Sequence, residues 1–325
     1  MNLFKEITEM FSRELELRGR AFINYGALDQ VEVKDMTIDE FPAKLFFNPA
    51  RVRSVMADVS PEALQKRACF LCPDGLEPLQ LTTVWDSPTG QTYFIRVNPF
   101  PIFNHHFTIS SSIHERQTFA PHMESMLHLA QEMPEMSIFY NGPMCGASAP
   151  DHMHFQAVPR HSMPIEDHFD TNYANAVLVQ ESDLQSHLTA LEKVLSMASI
   201  PENASQTGSL TAGASRTEEW EPRWNIISWY EPESSASVVS DLQGKARSTG
   251  AADLQPTGRS YNTIVFFRRE SRPQCFFAPE NERILFSPGT VEMGGVGIVA
   301  NRESFDRITP EVLRDMIQEV ADKIV

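Results

Sequence analysis

The sequence predicts a mixed α+β protein, because strand-like and helix-like patterns both recur along it. Residues 79–86 and 91–98 have the pattern of two strands joined by a turn, Ser87-Pro88-Thr89-Gly90. An amphipathic helix is predicted over residues 2–18, where an apolar stripe at helical spacing is formed by Leu3, Ile7, Met10, Phe11 and Leu15.

The remaining elements follow the same two periodicities. Further strands are predicted over residues 107–110, 136–140, 151–159, 224–230, 261–268 and 273–278. Further helices are predicted over residues 116–132, 182–198 and 310–320, with Thr309 suited to cap the last. Residues 231–259 are rich in Ser, Gly, Ala and Thr, which is typical of a long mobile loop.

Composition limits the partners that the chain can take. A net charge of −16 argues against a nucleic-acid polymer or an anionic membrane, since both require a broad basic surface. A small anionic ligand needs only a few local cations. No apolar run is long enough to span a membrane, and the first residues lack the pattern of a secretory signal. Four cysteines in 325 residues are no disulfide framework, so a cytoplasmic location is expected.

The segment Asp151–Pro159 has the most informative alternation. A strand here would place three polar side chains on one face: His152, His154 and Gln156. The apolar side chains that pack behind them would be Met153, Phe155 and Ala157. Three groups suited to phosphate chemistry would thus share a face. The alternative interpretation is two histidines that only pack in a core or lie on the surface.

A second signal is the pair Cys69 and Cys72, which precedes a Pro-Asp-Gly turn. Two cysteines at this spacing before a turn are typical of one half of a zinc site. A thioredoxin-like redox pair and a pair of buried thiols are the alternatives. Together with His114 and His152, the cysteines form a candidate Cys₂His₂ set, and its wide gaps are compatible with a tetrahedral site assembled by the fold.

Several short motifs follow one another in a familiar order. They are Asn98-Pro99-Phe100-Pro101, His114, Asn141-Gly142, Gly146-Ala147-Ser148 and His152-x-His154-x-Gln156. In this order they resemble the galactose-1-phosphate uridylyltransferase branch of the histidine-triad (HIT) superfamily. They are also similar to the diadenosine tetraphosphate phosphorylases and GDP-hexose phosphorylases. The resemblance covers about residues 45–160 and is weaker over 224–325, where Ser287 to Gly295 is similar to the C-terminal part of the phosphorylases.

The resemblance implies a fold and an activity. The fold would be α+β, with HIT-like antiparallel sheets and flanking helices, in two related halves. Residues 1–200 would carry the active-site motif, and residues 201–325 would complete the core and the substrate pocket. The activity would be that of a nucleotidyltransferase, of the phosphorylase or hexose-1-phosphate uridylyltransferase type. It would act through a nucleotidyl-histidine on an NDP-sugar or a dinucleoside polyphosphate, with phosphate or a sugar phosphate as acceptor.

The resemblance also assigns roles by position. The nucleophile would be His154, assisted by Gln156 and Ser148. Contacts to the nucleotide and its phosphate would come from Asn98, Phe100, Asn141 and Gly146. The resemblance matches a structural zinc site to Cys69, Cys72, His114 and His152. The loop between Ser148 and His152 is one residue longer than is usual in the family. Its Asp151 is interpreted either as a partner for an imidazole or as an ordinary residue at the start of the strand.

The chemistry of these residue types agrees with phosphoryl transfer. A neutral imidazole, whose ordinary pKa is near 6.5, can attack phosphorus without a separate base. For remote phosphates the candidate cations are Arg51, Arg96 and Arg268, with surface charge as the alternative for each. A HIT-type hydrolase and a non-catalytic, zinc-stabilised nucleotide-binding protein are the other functions that the sequence leaves open. Because the uridylyltransferases are commonly dimers, a homodimer is compatible with the resemblance.

Overall fold

The structure is a computed structural model that describes residues 2–52, 56, 59–198, 221–233 and 258–322. Its strands are Glu32–Ile38 (β1), Phe41–Phe47 (β2), Thr83–Asp86 (β3), Thr92–Val97 (β4), Phe107–Ser111 (β5), Met136–Asn141 (β6), His154–Pro159 (β7), Ala176–Glu181 (β8), Trp224–Glu231 (β9), Ser260–Phe267 (β10) and Val296–Val299 (β11). Its helices are Leu3–Glu16 (α1), Arg20–Gly26 (α2), Pro61–Lys66 (α3), Met123–Glu132 (α4), Thr171–Ala174 (α5), Leu184–Leu195 (α6), Thr290–Met293 (α7), Arg302–Arg307 (α8) and Pro310–Val320 (α9). None of these helices has the length and apolar character needed to cross a membrane.

Two sheets form the framework of the described residues. The large sheet is antiparallel throughout and has the strand order β3-β4-β5-β7-β6-β9-β10-β8. In the small sheet, β2 lies between an antiparallel β1 and a parallel β11. The prediction of an α+β fold with antiparallel sheets and flanking helices is therefore confirmed.

Apolar cores cover the two faces of the large sheet unequally. On one face α1, α4 and α6 pack against the sheet, and the core there includes residues from β4, β5, β7 and β9. On the other face the small sheet and α9 pack over β6, β9, β10 and β8. This second layer does not extend over β3, β4 and β5, so that end of the face is left open for a cavity.

The alternation predicted for β7 is present. Met153, Phe155 and Ala157 belong to the helix-covered core, while His154 and Gln156 lie on the opposite face and line the cavity. The strand begins at His154, so His152 precedes it instead of sharing its face.

The terminal helices agree with the sequence pattern. In α1 the predicted apolar stripe is buried at Leu3, Ile7, Met10 and Phe11, and the Asn2 side chain accepts the Phe4 N–H as an N-cap. In α9 the Thr309 hydroxyl accepts the Val312 N–H, as expected for its N-cap.

Two predicted segments differ from the structure. The helix predicted over residues 116–132 begins only at Met123, after a 3₁₀ turn over Ala120–His122. Pro121 lacks a backbone N–H and so cannot continue an α-helix from the residues before it. The strand predicted over residues 273–278 is a 3₁₀ turn, Gln274–Phe277.

Strands from both ends of the chain mix in both sheets. In the large sheet β9 pairs with β6, and β10 pairs with β8. In the small sheet β11 pairs with β2. The division into two related halves stays a prediction, because its boundary near residue 200 falls outside the described residues. Most of the loop predicted over residues 231–259 also lies outside the described residues.

Arg268, at the end of β10, joins the large sheet to the segment before α7. Its Nη1 donates to the Asn225 side-chain oxygen (2.6 Å) and to the Pro288 carbonyl (3.1 Å), and Nη2 donates to the carbonyls of Glu270 and Ser271. The side chain is buried and does not line the cavity. These protein oxygens occupy both terminal nitrogens of Arg268, so the structure does not support its interpretation as a phosphate-binding cation, and its burial does not agree with the alternative of a surface charge.

We expect Arg268→Lys to lower the free energy of unfolding by about 2–3 kcal/mol, because an ammonium cannot reach four acceptors spread around a planar fork. Urea unfolding measures the change. Arg269→Lys is the matched control, since Arg269 is exposed, and its effect should stay within about 0.5 kcal/mol. Equal stabilities of the two variants would contradict this structural role.

Candidate functional site

A cavity of about 550 Å³ lies on the open end of the large sheet. Its walls come from β4, β5 and β7, from the loop before His152, and from the segment Ser287–Glu292. All eight residues expected at catalytic and substrate-binding positions line it: Arg51, Asn98, Phe100, Asn141, Gly146, Ser148, His154 and Gln156. The fold therefore brings together residues that are separated by up to 105 positions in the chain.

His154 has a single defined tautomer. Its Nδ1 lies 2.8 Å from the His152 carbonyl oxygen, and a carbonyl can only accept, so Nδ1 carries the proton. The lone pair is therefore on Nε2. Burial lowers the pKa of His154 to about 4, and the hydrogen bond to the carbonyl offsets this only in part. The ring is thus neutral at physiological pH, which is the form that a nucleophile requires.

Gln117 holds the start of β7 in place. Its side-chain oxygen accepts the His154 N–H (2.8 Å), and its nitrogen donates to the carbonyls of His154 (3.0 Å) and Asn141 (2.9 Å). The direct pairing of β6 with β7 stops at Phe139 and Gln156, and the buried Gln117 amide bridges the two strands beyond that point. The backbone of His154 is thereby fixed on both its N–H and its carbonyl.

His106 orients the side-chain amide of Gln156. The His106 Nδ1 accepts the Ile102 N–H (3.2 Å), so Nε2 carries the proton and donates to the Gln156 oxygen (2.8 Å). The Gln156 oxygen is occupied in this way, which leaves the Gln156 NH₂ group as the donor available to a ligand. Burial, followed by the nearby charge of Arg51, lowers the pKa of His106 to about 3 and keeps the ring neutral.

Asn141 is oriented by the segment that precedes and begins α7. Its side-chain oxygen accepts the Thr290 N–H (2.7 Å), the Thr290 hydroxyl (2.8 Å) and the Asn225 NH₂ group (3.0 Å). With its oxygen occupied, Asn141 can offer only its NH₂ group to the cavity. The C-terminal part of the chain therefore fixes a polar group on β6.

Glycines allow that C-terminal segment to approach the loop before His152. Gly146 has a φ of +96°, and a Cβ atom there would lie 2.8 Å from the Gly289 Cα. Gly289 N–H in turn donates to the Glu292 carboxylate (2.8 Å), and burial raises the pKa of that carboxyl. A larger residue at position 146 would push the two cavity walls apart.

Arginines supply the positive charge of the cavity. Those that line it within the described residues are Arg20, Arg51, Arg67, Arg96 and Arg272. Arg51 donates to the Phe100 carbonyl (2.6 Å), and the buried Arg96 donates to the Leu71 carbonyl (2.8 Å) and the Ser110 hydroxyl (3.2 Å). Arg51 and Arg96 thus belong to the cavity and are not merely surface charges. The net negative charge of the chain is locally reversed here, which suits an anionic ligand.

The four predicted metal ligands form one cluster. The ligand atoms of Cys69, Cys72, His114 and His152 lie within 4.8 Å of one another. Separations of 3.2–3.5 Å between sulfur and Nδ1 atoms are close to the edge of about 3.6 Å expected between S and N ligands around tetrahedral zinc. His152 Nε2 donates to the Ser111 carbonyl (2.8 Å), which leaves the Nδ1 lone pair facing the sulfurs.

The thiols of the cluster favour a bound cation. Burial acts to raise the pKa of Cys69, but the adjacent His152 ring and hydrogen bonds from backbone N–H groups lower it overall. Burial and the neighbouring Cys69 raise the pKa of Cys72. The two thiols therefore do not both ionise unaided, and a divalent metal would supply the charge that two thiolates need. The residues fit such an ion.

Several site residues escaped the sequence interpretation: Arg67, His106, Gln117, Thr290 and Glu292. His106 directly precedes β5 in a His-His pair, and Arg67 lies two residues before Cys69, which are the only local signals. The sequence around Gln117 carries no local signal of its role, since that role comes from a long-range contact. In the described part of the chain Asp151 forms no hydrogen bond with an imidazole, although its charge acts to raise the pKa of both His152 and His154. It forms an ion pair with Arg67 instead (2.7 Å).

Comparison with known proteins supports the fold. Residues 10–159 match a family model described as a domain of unknown function (DUF4922). No curated protein matches the sequence. Among solved structures, yeast Ap4A phosphorylase Apa2 is similar, with a TM-score of 0.56, 13% identity, and 99% of this chain and 98% of that chain covered.

Two complexes of the same yeast enzyme are also similar. The complex with Ap4A gives a TM-score of 0.52 at 13% identity, covering 96% of this chain and 97% of that one. The complex with AMP gives a TM-score of 0.53 at 14% identity, covering 99% of this chain and 98% of that one. This structural likeness shows that the chain has the same overall fold as yeast Ap4A phosphorylase Apa2, as the resemblance noted in the sequence predicted.

The buried, neutral His106 should make stability depend on pH. In the unfolded chain His106 binds a proton below pH 6.5, whereas in the folded protein it does so only near pH 3. The neutral ring therefore contributes fully to stability above pH 6.5, and this contribution is lost as the pH falls toward 3. When the pH falls from 7 to 5, we expect the free energy of unfolding of the wild type to decrease by about 1–2 kcal/mol more than that of His106→Phe. Urea unfolding at both pH values measures this. His168→Phe, at an exposed position, is the control and should behave as the wild type. A His106→Phe variant with wild-type pH dependence would contradict a neutral His106.

Proposed function

We propose that the chain is a nucleotidyltransferase of the phosphorylase type, which transfers a nucleoside monophosphate from a dinucleoside polyphosphate to inorganic phosphate. The observation that carries this proposal is the tautomer of His154. Its Nδ1–H donates to a backbone carbonyl, so Nε2 carries the lone pair, and the ring lines the cavity. The cavity also holds arginines and two amide groups whose oxygens are occupied, which suits a phosphate-rich donor.

In the first step His154 Nε2 attacks the α-phosphorus of the donor. The N–P bond forms as the P–O bond to the bridging oxygen breaks, and the electron pair of that bond leaves with the terminal part of the polyphosphate. The NH₂ groups of Gln156 and Asn141 stabilise the phosphoryl oxygens without having to ionise. The His152 carbonyl accepts the hydrogen bond of the imidazolium-like ring that develops.

In the second step inorganic phosphate attacks the same phosphorus. A phosphate oxygen forms the new P–O bond, the N–P bond breaks, and its electron pair returns to His154 Nε2. The product is a nucleoside diphosphate. Two displacements at one phosphorus give net retention of configuration. Positioning and charge stabilisation supply most of the rate enhancement, as is general for phosphoryl transfer.

The remaining cavity residues bind the nucleotide. Asn98 closes the turn before Phe100 by accepting the Phe100 N–H (2.9 Å), and Arg51 fixes the Phe100 carbonyl. This turn would contact the ribose and base, as the resemblance implies. Ser148 and Gly146 lie in the loop opposite and would offer hydrogen bonds to the reacting phosphate.

Zinc is the metal we propose for the cluster, because two thiolates and two imidazoles form a closed tetrahedral set that zinc prefers. With all four positions taken by protein, the ion would be structural. Its ligands His152 and Cys69 lie two residues from His154 and Arg67, so the cluster would hold both of these cavity residues in place.

The function is tested by turnover of Ap4A with and without inorganic phosphate. We expect ADP and ATP with phosphate present, and a fall of at least about 10³-fold in kcat for His154→Ala, because the nucleophile is lost. His161→Ala, at an exposed position, should retain wild-type activity. AMP formed at the same rate without phosphate would make the protein a hydrolase, and Ap4A binding that survives His154→Ala with no wild-type turnover would make it a non-catalytic binding protein.

The metal assignment predicts one zinc ion per chain on elemental analysis. Cys72→Ser should lose that zinc and lower Tm by on the order of 10 °C, because a structural metal site contributes directly to stability. Cys275→Ser is the matched control, since Cys275 is a free, half-buried cysteine outside the cluster. If the wild-type protein contains no metal and Cys72→Ser has the same Tm as the wild type, the thiols would instead be a redox pair or simply pack in the protein interior.

A further inference from the structure

Asn225 is a fully buried amide on β9 that does not itself line the cavity. Its side-chain oxygen accepts a hydrogen bond from Arg268 Nη1 (2.6 Å). Its nitrogen donates to the Asn141 side-chain oxygen (3.0 Å) and to the Cys145 carbonyl (2.7 Å). Because a guanidinium can only donate, Arg268 decides which end of the Asn225 amide is the oxygen. Both N–H groups of Asn225 are thereby directed at the strand and the loop that form the cavity wall.

The two acceptors of Asn225 depend on it to different degrees. The Asn141 oxygen also accepts the N–H and the hydroxyl of Thr290, so its orientation does not require Asn225. Cys145 is buried, and among the residues that the structure describes its carbonyl accepts a hydrogen bond from Asn225 alone. Asn225 is therefore the residue that orients the peptide group between Cys145 and Gly146.

A peptide group held by its carbonyl presents its N–H on the opposite side. The described residues contain no cis peptide bond, and in a trans peptide the carbonyl and the next N–H point in opposite directions. The Cys145 carbonyl points inward to Asn225, so the Gly146 N–H points away from Asn225. Gly146 is exposed and lines the cavity, and its N–H donates to no acceptor in the described part of the chain. This N–H can therefore donate to an anion in the cavity.

Gly146 makes the direction of this peptide group reversible. Half a turn of the peptide plane would change the φ of Gly146 from +96° to about −84°, and glycine adopts either sign of φ at little cost. The reversed peptide would present the Cys145 carbonyl to the cavity, where its partial negative charge would repel a phosphate. The hydrogen bond from Asn225 favours the orientation in which the N–H faces outward.

We infer that Asn225 is a positioning residue for the transferred phosphoryl group, because it sets the peptide so that the Gly146 N–H, and not the Cys145 carbonyl, faces that group. The inference rests on the proposed function, in which the reacting phosphate lies beside Gly146. Asn225 does not touch the ligand, and Arg268 takes part only by orienting Asn225. A neutral amide suits this position because it donates to the carbonyl without placing a charge behind the phosphate.

The substitution Asn225→Asp tests the inference, because it keeps the shape of the side chain and an acceptor for Arg268 but removes both N–H donors. A carboxylate facing the Cys145 carbonyl would repel it and favour the reversed peptide. Equilibrium dialysis of radiolabelled AMP and of adenosine against the full chain gives two Kd values, whose ratio measures what the phosphate group contributes. We expect Asn225→Asp to reduce this ratio by about 10- to 100-fold, the effect of losing a hydrogen bond to a charged group. The Kd for adenosine should stay within about threefold of the wild-type value.

Asn262→Asp is the matched control, since Asn262 is a buried amide on the adjacent strand β10 and does not line the cavity. Its oxygen accepts from Gln180 (2.7 Å), and its nitrogen donates to Ser260. Both affinities of this variant should equal those of the wild type.

A merely structural Asn225 predicts a different result. Loosening of the fold would weaken AMP and adenosine equally in Asn225→Asp, and that pattern would overturn the inference, as would an unchanged ratio. Wild-type protein that binds AMP no more tightly than adenosine, up to about 10 mM of either, would overturn it as well. If Asn225→Asp does not fold by circular dichroism, Asn225→Ala replaces it. Alanine removes the donor without adding repulsion, so its expected reduction of the ratio is smaller, about 3- to 10-fold.

Turnover of Ap4A gives a second measurement. A donor aimed at the phosphoryl group acts most strongly where charge develops, so Asn225→Asp should lower kcat by about 100-fold and raise KM by less than about 10-fold. A kcat within about threefold of the wild type would contradict the inference.

Dialysis requires no turnover, so the two proposals can fail separately. An Asn225-dependent ratio in a protein without His154-dependent turnover would count against the proposed function alone. His154-dependent turnover with a ratio that Asn225→Asp leaves unchanged would count against the role of Asn225 alone.

Discussion

The hydrogen bond from His154 Nδ1 to the His152 carbonyl is the interaction on which the site depends. It joins two residues of one strand-like segment, and it decides which ring nitrogen carries the lone pair. Burial adds the second condition, since it keeps the ring neutral at physiological pH. Together they make an imidazole that needs no separate base, at the point where a cavity opens on the sheet.

The surroundings of that hydrogen bond act by holding its two partners still. His152 belongs to the cysteine–histidine cluster, and its Nε2 is tied to the Ser111 carbonyl on β5. His154 is fixed through its backbone by the amide of Gln117. Two further amides, Gln156 and Asn141, have their oxygens occupied by His106 and by Thr290 with Asn225. The result is an arrangement of donors set before any ligand binds, which is what electrostatic stabilisation of a phosphoryl group requires.

The sequence predicted the fold class, and it selected residues that line one cavity or form one cluster, because both depend on local periodicity and on ordered motifs. The period of two through Phe155 separated the core face from the cavity face, and Cys69-x-x-Cys72 indicated half of a metal cluster. The sequence could not predict His106, Gln117 or Thr290 as site residues, since each acts through partners in other parts of the chain. The buried position of Arg268 could not be predicted for the same reason: a lone arginine near a strand end gives no sign of the four oxygens that its terminal nitrogens contact. Pro121 did carry a local signal, and it explains why the fourth helix begins late.

The most direct measurement of the central claim is rapid-quench mass spectrometry of the intact protein mixed with Ap4A in the absence of phosphate. The account predicts a mass increase of one adenylyl group, about 329 Da, that maps to the peptide containing His154 and is discharged by added phosphate. An adduct on any other residue, or complete turnover by wild-type protein with no adduct under single-turnover conditions, would contradict it.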